Sequence, residues 1–158
     1  ILQKTNPDDL RIGAHHQVFD LDTRSILAGS GLAEARLSTS RYLIVLRKKT
    51  VAAAEVTVDA SDDEVSFNLI NVGPFVEGFS NAVRKAESLP HDGDYACHIL
   101  RIAPLYVMAL WLEPLDGGET IIVPIKPAPD LLLTADSYSE EEFLNALRQP
   151  ALDLDTRI

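Results

Sequence analysis

Sulfur, aromatic rings and positive charge are all scarce in this chain of 158 residues, and each scarcity excludes something. A single cysteine, Cys97, rules out an internal disulfide framework. With no N-terminal tract of charged, apolar and small residues that reads as a secretory signal, the expected setting is reducing and cytoplasmic. Long apolar runs are missing as well. The most apolar stretch, Ile99 to Leu112, is broken by Arg101 and Pro104 and falls short of the roughly 20 residues that a membrane-spanning helix needs. Lys and Arg number 14 against 24 Asp and Glu, and the net charge of -10 repels phosphate backbones, so neither a nucleic acid nor a membrane is expected as a partner. The one basic run, Arg47, Lys48 and Lys49, reads as a solvated turn between strands.

Complete metal and nucleotide motifs are lacking too, so no metal and no cofactor is expected. His15 and His16 are adjacent, a spacing that does not place two imidazoles on one helical face, and no cysteine or carboxylate motif completes them. Gly29, Ser30 and Gly31 want the third glycine and the strand-to-helix context of a dinucleotide loop. The acidic run Glu140 to Glu142 has a structural reason at a helix N-terminus, where negative charge opposes the helix dipole favourably.

What is present is an ordinary globular balance, 46% hydrophobic and 24% charged, in a chain long enough to bury roughly 70% of its unfolded surface without a staple. The apolar run Tyr42 to Leu46 has the length of a buried strand. Ala52, Ala54, Val56 and Val58 alternate with polar residues, and Val65, Phe67 and Leu69 share a parity after the polar break at 61–63. Short polar turns between these runs predict an antiparallel meander. The period then changes: Phe75, Phe79, Ala82, Val83, Ala86 and Leu89 recur at helical spacing, with Pro74 suited to the first position and Pro90 to the stop. Gly78 in that helix suggests a close approach. After a turn at 91–94, strands are expected from Tyr95 to Ala103, from Leu105 to Glu113, and in a third run where Pro124 suggests a sheet edge or a strand end. Ser139 and Glu142 have capping-box spacing ahead of Phe143, Leu144 and Leu147, and Pro150 reads as the end of that helix.

The pattern predicts an α+β fold in a single domain over residues 1–158. Its frame is an antiparallel sheet of about five or six strands, with a main helix over about 74–89 and a short C-terminal helix over about 139–149 packed against it. Residues 1–38 are ambiguous, offering a strand near Gln17 to Leu21 or a helix over Thr23 to Ala28, and residues 151–158 read as a frayed tail.

The chemistry concentrates in Tyr95 to Pro114, which holds Cys97, His98, Arg101, Tyr106, Met108 and Trp111. Cys97 and His98 are neighbours on a strand and point to opposite faces, which argues against a thiol–imidazole pair and for a buried structural thiol. Asp94 shares the parity of His98 but lies about 13 Å away along a strand, too far to orient the ring. A ligand pocket using His98 and Arg101, walled by Tyr106 and Trp111, is the alternative to plain core; a tight turn at Ala103 and Pro104 would set Arg101 opposite Tyr106.

The segments "APLYVMALWLEP", "VPIKPAPDLL" and "YSEEEFLNALR" resemble a pattern of uncharacterised bacterial proteins, in which an LYVxALWL strand precedes a proline-rich strand end and a YSxxEFLxAL helix. That resemblance covers about the last 55 residues and implies strands and a helix but no activity. In size, acidity and element order the chain also resembles the dimeric chaperones of bacterial secretion systems. The expected function is a non-catalytic module that binds a protein partner, secretion-chaperone-like, or associates with itself as a dimer. The alternative is a small-molecule-binding protein or enzyme with a pocket between sheet and helix.

Overall fold

The computed structural model describes residues 5–58, 65–90 and 93–157. Seven strands form one sheet: β1 (Leu10–Asp20), β2 (Arg36–Leu46), β3 (Lys49–Val58), β4 (Val65–Asn71), β5 (Tyr95–Ile102), β6 (Val107–Pro114) and β7 (Ile121–Pro124). Three helices join them: α1 (Thr23–Ala28), α2 (Pro74–Ser88) and α3 (Glu140–Thr156). The spatial order is β4-β3-β2-β1-β5-β6-β7, and every neighbouring pair is antiparallel except β1 and β5. The expected five or six antiparallel strands are therefore corrected to seven in a mixed sheet. The parallel pair arises where the chain returns through α2 from β4, at one edge of the sheet, to β5 on the far side of β1, so the antiparallel blocks β4-β3-β2-β1 and β5-β6-β7 meet at β1 and β5.

The ambiguous N-terminal segment holds both of its alternatives, a strand ending at Asp20 and a helix over Thr23–Ala28. Asp22 separates them by accepting a hydrogen bond from the Arg24 N–H, and Gly29 ends the helix at φ 73°. Arg47 and Lys48 make the two-residue hairpin turn between β2 and β3, both at positive φ. The turn expected at 91–94 and the break at 61–63 include residues outside the described ones.

Helix α2 starts at Pro74 and ends before Pro90, and its Gly78 lies against the backbone of Lys126, where a side chain would overlap the carbonyl oxygen. Helix α3 opens with the complete Ser139–Glu142 capping box. It does not stop at Pro150, and residues 151–156 are helical rather than a frayed tail. The cause is packing: Phe143, Leu147 and Ala151 form one fully buried stripe at i, i+4 and i+8, and burial of that stripe outweighs the hydrogen bond that Pro150 cannot make.

Strand alternation sorts the core into two layers. Under α2 lie Val18, Ile99, Leu110 and Val123 with Phe79 and Ala82. On the opposite face Leu100, Ile102, Ala109 and Ile122 pack with Ile26 of α1 and with Phe143 and Leu147 of α3. That second layer belongs to the β5–β7 half of the sheet.

Candidate functional site

His98 and Arg101 stand three residues apart on β5, so the pleat sends them to opposite faces. Arg101 points to the α2 side. Its Nε and Nη2 donate to Asp20 Oδ1 and Oδ2 at 2.7 and 3.2 Å, and its Nη1 donates to both oxygens of Glu55 at 3.1 Å. Parallel pairing of Asp20 with Arg101 brings the first carboxylate alongside, and the second comes from β3, two strands further out. The fork is thus filled by the protein's own acids. The Asp20 hydrogen bonds raise the Arg101 guanidinium's affinity for its proton against the opposing effect of burial, with the Glu55 charge adding to them. Asp20 itself is pushed up by burial, but hydrogen bonds from Arg101 and Ser38 outweigh this and hold it below the usual carboxylate range.

A second arginine lies beside this network. Arg41 pairs across the strands with Glu55 on one side and His16 on the other, and only 1% of its surface is exposed. Among the described residues its Nη1 meets no better acceptor than the Met108 sulfur at 4.0 Å, and its Nε and Nη2, like the Thr39 hydroxyl and His16 Nδ1, have no hydrogen-bond partner. Burial lowers the Arg41 pKa, with Glu55 opposing. Burial also lowers that of His16, assisted by His15, His98 and Arg41, and the His16 ring stands edge-on to Phe79.

On the other face His98 shares its Nε2 with Glu113 Oε2 at 2.8 Å and packs edge-to-face with Phe19 and Trp111. His98 and Trp111 are a cross-strand pair, so these two expected site residues do come together. Tyr106 does not join them. The β5–β6 turn is longer than the tight turn expected, placing Met108 rather than Tyr106 opposite Arg101 and leaving Tyr106 84% exposed at positive φ. Cys97 faces α2, away from His98, and burial raises its pKa, which favours the unreactive thiol.

The four residues therefore divide among two faces and a turn. Open grooves of about 430, 440 and 460 Å³ lie at α2 with Lys126, at α3 with Leu27, and between Tyr95 and Ser139; none is lined by His98, Arg101 or Arg41. Among the described residues no group of three His, Cys, Asp or Glu side chains could hold a metal ion, and no helix is long and apolar enough to cross a membrane. No protein-family model, curated protein or solved structure matches the chain.

The shared face expected for Val65, Phe67 and Leu69 does not hold throughout β4. In β4 a bulge at Asn68 shifts the register, so Phe67 stands opposite Val56 and Ile70 opposite Ala54 on one face, while Leu69 stands opposite Glu55 on the other. Val65 (64% exposed), Phe67 (62%) and Ile70 (50%) are joined on the same open side by Ile12 of β1 (76%). Helices α1 and α3 cover that side only over the β5–β7 half. The period-two signal was correct for a strand, but nothing in it shows whether a helix covers the face.

Proposed function

We propose that this chain is a non-catalytic module that binds a protein partner through the uncovered β1–β4 half of its sheet. One observation carries the reading: Ile12, Val65, Phe67 and Ile70, all at least half exposed, occupy a sheet face that no helix among the described residues covers. Scattered apolar side chains are normal on a surface, whereas a contiguous apolar sheet face marks an interaction site. Size, acidity and the run of three strands, a helix, further strands and a helix favour the secretion-chaperone-like version, in which the partner is a segment of a client protein; β1 and its parallel pairing with β5 add to that order. The alternative, a pocket shared by His98 and Arg101, lacks support because the sheet separates them and each already holds an internal carboxylate.

The test is affinity capture by the wild-type chain against an Ile12→Lys, Phe67→Lys variant and a His98→Ala variant, followed by native mass spectrometry of the captured material. A stoichiometric protein retained by wild type and His98→Ala but lost from the double variant supports the reading. A small molecule lost only from His98→Ala would replace it with a ligand-binding role.

A further inference from the structure

The two edges of the sheet are built differently. Strand β7 has only four residues, includes Pro124, which offers no N–H, and exchanges two backbone hydrogen bonds of 2.8 Å between Ile122 and Tyr138 along its outer side. Those features close an edge to strand pairing. Strand β4 has seven residues, ends the sheet on the other side, and from Val65 to Val72 contains neither a charge nor a proline. The bulge at Asn68 interrupts this edge, but on either side of it β4 presents, among the described residues, N–H and C=O groups with no strand partner between exposed apolar side chains, a template for another strand.

We infer that the outer edge of β4 pairs antiparallel with β4 of a second copy of this chain, joining two sheets across a two-fold axis. This rests on the reading of the open sheet half as the interaction surface, and adds that two copies join their open faces to present it. Closure selects the second copy. Pairing of β4 with β7 of the next copy would propagate without end, but β7 is blocked, so among the described residues the competent edge a second copy offers is β4 itself. Pairing of like with like about a two-fold axis stops at two. Val65, Phe67, Leu69, Ile70 and Val72, between 39% and 64% exposed, present on the order of 500 Å² of side-chain surface along this edge, against the roughly 800 Å² that each partner gives to a standard interface, and pairing covers the part of it that faces the second strand. The paired edge backbone and flanking residues supply more. With the axis perpendicular to the sheet, the two open apolar faces lie on the same side and run into one another.

Sedimentation velocity on the full chain from micromolar to millimolar concentration tests this. The expected result is a species of twice the 17.3 kDa chain mass that Phe67→Lys converts to a folded monomer with an unchanged circular dichroism spectrum and cooperative melt, and that Ile12→Lys, on β1, leaves dimeric. Val65→Lys serves where Phe67→Lys fails to fold. A dimer that resists both β4 lysines and yields to Ile12→Lys would overturn strand pairing in favour of stacked faces, leaving the interaction reading in place. A monomer at every concentration that binds anilinonaphthalene sulfonate through Ile12 and Phe67 would likewise overturn the inference alone. A monomer that binds no dye would overturn both.

Discussion

At the scale of single residues, the α2 side of the sheet contains two arginines in opposite situations. Arg101 satisfies a half-exposed Asp20 and a Glu55 only 3% exposed, so removing it strands a buried carboxylate. Arg101→Met is expected to lower unfolding stability by about 3–5 kcal/mol, read from a urea midpoint, because breaking a buried pair leaves one charge uncompensated. Arg41 holds its charge under the helix with two nitrogens unpaired, so Arg41→Met, close in length, is expected to be neutral or stabilising. Equal losses in the two variants would show that Arg41 is held as firmly as Arg101. The pH dependence has the same source. The folded pKa of His16 lies below its ordinary 6.5, so the unfolded chain binds more protons and the stability this neutral ring contributes, complete above 6.5, is lost as pH falls through the lowered value. Asp20, also depressed, contributes above the ordinary carboxylate range and loses its part as pH falls further. Urea midpoints measured against pH should fall in two stages, and His16→Phe, which keeps the contact with Phe79, should flatten the upper stage alone.

At the scale of elements, two positions test how the backbone is fitted. Gly78 brings α2 against the Lys126 carbonyl, and a methyl there would force the helix away from the segment that follows β7. Gly78→Ala should therefore destabilise, although an alanine inside a free helix would gain about 1 kcal/mol over glycine; a rise in melting temperature would show that α2 has room. In the β2–β3 turn Lys48 adopts φ 68°, a region costing an ordinary residue roughly 1–2 kcal/mol. Lys48→Gly relieves that cost against a backbone entropy loss of about 0.5–1 kcal/mol, so a gain of a few tenths to about 1 kcal/mol is expected in the same denaturation assay. The two glycine sites thus predict opposite signs for the same pair of physical terms. Helix α3 adds a lesson about breakers. Proline propensity marked 150 as an end, whereas three buried side chains on one stripe carried the helix through to Thr156.

At the scale of the whole molecule, the net charge of -10 acts against association. Two copies pairing through β4 repel each other over a Debye length of about 10 Å at 0.1 M salt, so added salt should raise the dimer fraction, which sedimentation equilibrium at several ionic strengths measures. An interface held by complementary charges would weaken instead. Since the residues from Val65 to Val72 carry no charge, screening removes long-range repulsion without weakening any ion pair in the β4 edge.

Local signals along the chain were enough to place α2 between its two prolines, the capping box of α3, most of β2 to β7 and the terminal place of β7, because periodicity, caps and breakers act over a few neighbouring residues. The same strand geometry foretold that Cys97 could not face His98. Long-range placement lay beyond those signals. Strand β1, with five consecutive exposed residues and two adjacent histidines, carries no alternation to read, yet it is the strand that joins the two antiparallel halves. Asp20 and Glu55 stand 81 and 46 residues from the arginine they hold, and no local pattern encodes that meeting. The outward Phe67 has the sequence pattern of an inward one. An apolar residue records only that burial is favourable, and what buries it is decided when the helices choose which half of each sheet face to cover.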